Sequence, residues 1–178
     1  MTATDSFWRD ANRVPIEAHG LVVSKTVTFT GSGETEAIEL FGITGVVEVV
    51  KIWGVCLTGF GANHTDAHLR INDQTATDQV LSKTTTLDLS GISAGAAIIK
   101  NGLAAAILSY KSADAATILE PAVANEKSFT PVIIVQKTGG VETNIEYVYT
   151  TTDEPTSGVM QFFVGYYPLS DGAKITAM

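Results

Sequence analysis

Apolar and polar residues alternate with a period of two through most of the chain from residue 22 onward. In "VVSKTVTFT" (22–30), Val27 and Phe29 alternate with Thr26, Thr28 and Thr30. β-Branched residues at that period predict a half-buried strand. "GSGE" (31–34) reads as a turn and "TEAIELF" (35–41) as a second, shorter strand. The strongest pattern is "VVEVVKIWGVCL" (46–57). Val47, Val49, Trp53, Val55 and Leu57 fall on one face together with Lys51. Val46, Val50, Ile52 and Cys56 fall on the other together with Glu48. Two mostly apolar faces predict a central strand covered on both sides.

Further along, "TGFGANHTD" (58–66) reads as a loop and "AHLRIN" (67–72) as a strand. Short strands are expected around Val80–Leu81 and Thr86–Leu89. "AAIIKNGLAAAILSYKS" (96–112) places Asn-Gly between two apolar runs, which favours a hairpin, although its alanines also suit a helix. "PVIIVQKTGGVETNIEYVYTT" (131–151) holds two strand patterns joined through "TGG". In the second, Ile145, Tyr147 and Tyr149 alternate with Asn144, Glu146 and Val148. After the turn "DEPTSG", the strand "VMQFFVGYYPL" (159–169) closes the series. About eight strands separated by turn signals, with no convincing amphipathic helix, predict an all-β fold. The expected form is an antiparallel β-sandwich or jelly roll. The domain is expected to span residues 21–178, behind an extended N-terminal arm over residues 1–20.

Composition narrows the function. The 178 residues suffice for one domain with a real core. Charged residues make up only 17% of the chain, below the usual quarter, so the surface is neutral and hydroxyl-rich. The net charge of −8 argues against nucleic acid, which needs a basic face to displace counterions, and against anionic membranes. No run approaches the ~20 apolar residues of a membrane span, and no signal peptide is evident, so synthesis in a cytoplasm is expected. The single cysteine, Cys56, sits in an apolar run and reads as a small buried hydrophobe rather than a nucleophile.

Candidate chemistry is sparse. In "NHTDAH", His64, Asp66 and His68 would project from the same face of an extended strand and could hold a divalent ion. The plainer reading is a polar loop running into a strand. Near the C-terminus, alternation pairs Phe162 with Tyr166 and Phe163 with Tyr167. One pair is expected in the core and the other at a surface or interface. Phe162, Tyr166 and Tyr167 are therefore candidates for stacking on carbohydrate or for an interface. There is no Walker loop, no G-x-G-x-x-G and no G-x-S-x-G, so neither a cofactor nor an enzymatic activity is expected.

The arm raises its own question. "TDSFWRDANRVPIEAHG" (4–20) has two aromatics and no clear period. An extended, proline-containing arm cannot bury Phe7 and Trp8 by itself. Each could gain roughly 2–3 kcal/mol by inserting under a neighbouring subunit. Arg9 and Arg13 could pair there with carboxylates in bidentate fashion.

Two stretches carry a resemblance. "RDANRVPI" (9–16) and "TGVVEVVKIWGVCLT" (44–58) resemble elements of small virion structural proteins of tailed bacteriophages. The matching positions are Arg9, Asp10, Asn12, Arg13, Val14 and Pro15, then Thr44, Gly45, Val46, Val47, Gly54, Val55, Cys56 and Thr58. Leu57 departs from the pattern, where threonine is usual. The resemblance covers about a quarter of the chain and implies a virion location without assigning residue-level chemistry. With the arm, it leads to the expectation of a capsid decoration (cement) protein on the outer shell, as a homotrimer. Its partners would be the major capsid protein or other virion subunits. Phe7, Trp8, Arg9, Asp10, Asn12, Arg13 and Pro15 would form the docking segment. The alternative is a tail or head-fibre module that grips host carbohydrate.

Overall fold

The computed structural model describes residues 20–30, 35–61, 63–74, 78–83, 87–100, 108–111, 131–139, 142–151 and 157–178. Among them every regular element is a strand: β1 (Leu21–Phe29), β2 (Thr35–Thr44), β3 (Val46–Thr58), β4 (Thr65–Asn72), β5 (Gln79–Val80), β6 (Ala97–Ile99), β7 (Ser109–Lys111), β8 (Val132–Val135), β9 (Thr143–Thr150), β10 (Gly158–Pro168) and β11 (Lys174–Ala177). They form two packed antiparallel sheets, a β-sandwich. The six-stranded sheet runs β1-β10-β3-β6-β7, with β8 also on β3. The five-stranded sheet runs β11-β2-β9-β4-β5. The N-terminal arm lies outside the described residues.

Several expectations are revised. β8 and β9, though joined through "TGG", sit in different sheets, so the chain crosses the sandwich between them. β6 and β7 do pair antiparallel, Ile99 opposite Ser109, but the Asn-Gly pair between them lies outside the described residues. Residues 87–89 form no strand. Leu87 and Leu89 are buried as loop residues whose backbone bonds to Ala67 and His64. The short strand β11 gives little pattern in sequence because its four residues bury only Ile175.

The central strand corrects the two-face reading of residues 46–57. On β3, Val49 pairs with Tyr166 and Lys51 with Gly165, so Val50 is an extra residue and the strand bulges there. A bulge reverses the alternation beyond it. The buried set is therefore Val47 and Val49, then Ile52, Gly54 and Cys56. Trp53 and Val55 are left on the outer side, half-buried, and Leu57 is exposed. A second bulge at Leu40 lets both Leu40 and Phe41 enter the core.

β2 and β3 are one extended run folded across the sandwich at Gly45. Its φ of +70° suits glycine, and a Cβ there would come within 2.7 Å of Ser170 Oγ. The corner is fastened by Gly45 N–H to Gln136 Oε1 (2.9 Å) and by Val46 N–H to Ser170 Oγ (3.0 Å).

The core fills with the inward residues of both sheets. At one end Phe29 meets Phe60, Tyr147 and Tyr149 edge-on, with centroids 4.9, 5.9 and 5.2 Å away, and Tyr147 packs on Phe162 at 4.9 Å. β1 lies at an edge of its sheet. Its inward Lys25 reaches across the sandwich and donates to the Glu39 carbonyl (2.7 Å), and an inward charge on an edge strand disfavours strand addition.

Phe29→Ala should cost about 3–5 kcal/mol, read as a lowered midpoint in urea unfolding at unchanged slope. Thr28→Ala, one residue away and facing out, should change stability by no more than about 0.5 kcal/mol.

Candidate functional site

The outer faces of the two sheets differ in chemistry. On the five-stranded sheet the outer face is polar and internally satisfied. Glu146 stands in register between Glu39 and Arg70. It accepts from Arg70 Nε (2.7 Å) and from Asn72 Nδ2 (2.8 Å), and Arg70 also pairs with Asp78. Asn144 Nδ2 donates to Glu39 Oε1 (3.1 Å), bridging over from beside Glu146. Buried as it is, Glu146 needs these partners, since an unpaired buried carboxylate is strongly unfavourable.

The outer face of the six-stranded sheet is apolar. The registers put Trp53 between Phe163 and Ile99, and Val55 between Gln161 and Ala97. Trp53 and Phe163 stack nearly parallel, centroids 5.0 Å apart, and the Lys51 ammonium lies 4.9 Å from the indole centroid. Along the same face, Ile133 and Val135 on β8 are 63% and 62% exposed, Val22 on β1 52% and Leu57 on β3 47%. Tyr167, opposite Glu48, is half-buried. Ser24, Thr26 and Thr28 of β1 form a hydroxyl rim. Scattered exposed apolar residues are ordinary, but a contiguous patch rimmed by polar groups marks a surface that meets another molecule.

The aromatic assignment needs correction. Phe162 and Tyr166 are 1% and 4% exposed and belong to the core, so neither can stack on a ligand. Tyr167 faces out, and so does Phe163, which the candidate set omitted. Adjacent aromatics on a strand must split between its two faces, and the split follows from the pairing with β3. Ile133 and Val135 were also missed, because an apolar run of four gives no sign that only alternate members are covered.

The candidate metal ligands are not brought together. Asp66 adopts φ +53°, and β4 bulges between Thr65 and His68, which reverses the alternation that would have aligned the three. His64 turns into the core, while His68 lies on the outer side opposite Val148, its Nδ1 2.7 Å from the Asp66 carbonyl oxygen. Among the described residues no cluster of three metal-ligating side chains forms. Phe7, Trp8, Arg9, Asp10, Asn12, Arg13 and Pro15 lie outside the described residues. Cys56 is buried and bonds through Sγ to the Thr58 carbonyl (3.1 Å). Burial, partly offset by that bond, pushes its thiol above the usual range.

His64 is instead a structural group. Its Nε2 is 2.7 Å from Tyr147 Oη, and its ring stacks on Tyr149 at 4.4 Å and packs on Phe60 at 4.5 Å. Nδ1 is buried with no hydrogen-bond partner. Burial pushes its pKa down to about 3, only partly opposed by the charge of Asp88, whose carboxylate is itself stabilised by Ser90. Lys100 follows β6 as a buried lysine, lowered to about 8 by desolvation; a lysine after an apolar triplet reads in sequence as solvated.

The sequence matches no protein-family model, and no curated protein or solved structure matches it. Among the described residues no helix is long and apolar enough to cross a membrane.

The folded chain keeps His64 neutral where the unfolded chain, with a histidine pKa near 6.5, takes up a proton. Its contribution is complete above about pH 6.5 and is lost as the pH falls toward 3. Between pH 7 and 5 this group should remove about 2 kcal/mol of unfolding free energy. Urea midpoints measured across that range should fall for the wild-type chain and fall less steeply for His64→Phe.

Proposed function

We propose that the chain is a non-enzymatic assembly protein of a tailed-phage particle, a decoration (cement) protein that binds the outer shell. The observation that carries this reading is the apolar outer face of the six-stranded sheet, set against a five-stranded sheet whose outer polar groups bond to one another. A surface of that kind favours coverage by another polypeptide, because apolar area is then removed from water. The phage-like stretch 44–58 supports the reading by its place in the fold. It runs from the Gly45 corner through the whole of β3, the strand that supplies Trp53 and Val55 to the apolar face.

The arm gives the second contact. Gly20, at φ +83°, lies against β10, where a Cβ would meet the Tyr166 carbonyl oxygen at 2.6 Å. Gly20, the residue before β1, therefore lies at an edge of the six-stranded sheet. A shell subunit that receives Phe7 and Trp8 would bury roughly 150–250 Å² of aromatic surface with each. Cementing then arises from repetition. Each copy adds a modest interface, and many copies together resist the pressure of packaged genome.

Deleting residues 1–16 should leave the unfolding free energy of the domain, read by urea titration, within about 0.5 kcal/mol of the full chain. Co-sedimentation with shells assembled from the capsid subunit should fall by at least tenfold, the loss expected when about 1.4 kcal/mol or more of contact is removed. Undiminished sedimentation with shells would count against the arm as the docking element.

A further inference from the structure

We propose that the apolar outer face of the six-stranded sheet binds a second copy of this chain, face to face about a two-fold axis. The proposal rests on the reading of that face as a protein contact and adds the identity of its occupant.

Size is the first argument. Strands β1, β10 and β3 have 9, 11 and 13 residues and β6, β7 and β8 have 3, 3 and 4; at ~4.8 Å spacing and ~3.3 Å rise they give a face of roughly 680 Å². That is about what one partner contributes to a stable interface of standard size. The distribution of polarity has the anatomy of such an interface. Trp53, Phe163 and Val55 occupy the middle, the hydroxyls of β1 lie along one side, and Ile133 and Val135 of β8 lie on the other.

Charge is the second. The chain carries a net charge of −8, so most of its surface repels a second copy. On the outward side of this sheet β3 carries one charge of each sign, Glu48 and Lys51, and the register adds Lys111 of β7 opposite Ala97 at the far edge. A two-fold contact is isologous: if a residue meets another on the partner, the reciprocal pair forms as well. Glu48 of each copy can therefore meet Lys51 of the other, and both charges are matched twice. A patch that meets itself closes after two copies, which sets this contact apart from the three-fold arrangement expected from the phage resemblance.

Sedimentation equilibrium of the full chain tests it. The expected mass is twice the 18.8 kDa of one chain. Ile133→Glu combined with Val135→Glu places charge at two exposed positions that the fold does not need buried. That variant should keep its circular dichroism and sediment as a monomer. Glu48→Lys and Lys51→Glu should each weaken dimerisation several-fold, and the two together should restore it, because the reciprocal pairs re-form with signs exchanged. The chain lacking residues 1–16 should retain the dimer mass, so self-association and shell binding are read separately. A wild-type chain that stays monomeric or forms trimers, a doubly substituted β8 variant that remains dimeric, or a charge exchange that fails to restore dimerisation would overturn the proposal.

Discussion

The antiparallel pairing of β3 with β10 decides what each face of the six-stranded sheet presents. In that register Gly54 lies opposite Phe162 on the inside, and Trp53 lies opposite Phe163 on the outside. The missing side chain at Gly54 matters, since a Cβ there would come within 2.9 Å of Met160 Sδ and 3.1 Å of Ile98 Cγ1. The inside of β3 can thus lie close against its neighbours, while the bulky indole goes outward. A slip of one residue would exchange the two faces, sending Trp53 inward and Ile52 and Cys56 into water. The bulge at Val50 fixes the point at which the alternation reverses, so that Val47 and Val49 are buried from one half of the strand and Ile52 and Cys56 from the other.

The two sheets solve the problem of their outer faces by different means. β9 is buried along seven of its eight residues and carries Glu146 and Asn144 on its outer side. Like charges in register, Glu39 beside Glu146, would destabilise the pair if left alone. Arg70, Asn72 and Asn144 absorb both carboxylates into one network, and such a network specifies register as well as stability. The outer centre of the six-stranded sheet is instead an aromatic pair, Trp53 stacked on Phe163. The Lys51 ammonium lies near Trp53, a cation–π contact worth about 0.5–1 kcal/mol at an exposed site. One outer face is polar and bonded to itself, and the other is mostly apolar.

Much of this was legible in the sequence, and the failures share one cause. The long strands β1, β2, β3, β4, β9 and β10 follow from period-two patterns, and the alternation of Ile145, Tyr147 and Tyr149 with Asn144, Glu146 and Val148 is the one observed. Cys56 is buried as its apolar run implied. The errors fall where a bulge inserts one residue. It misassigned the faces of β3 at Val50, and it separated His64 from His68 around Asp66. A bulge leaves no mark in hydrophobic periodicity beyond a reversal of phase, and in a mostly apolar strand even that is hidden. The loop residues Leu87 and Leu89 were misread for a related reason. Burial without hydrogen-bonded pairing gives the same local pattern as a short strand.

The placement of histidine shows how far a local motif can mislead about chemistry. Three metal-ligating residues at alternate positions suggest a site only if the backbone stays extended between them. Here the left-handed turn at Asp66 puts one imidazole among Phe29, Phe60, Tyr147 and Tyr149, where water is excluded. In that setting the ring acts as a fifth aromatic whose one hydrogen bond, to Tyr147, satisfies a phenol that would otherwise be buried unpaired. The polar groups of the core and of the five-stranded sheet thus mostly serve the fold itself. Among the described residues, the apolar side chains left at the surface gather on the outer face of the six-stranded sheet.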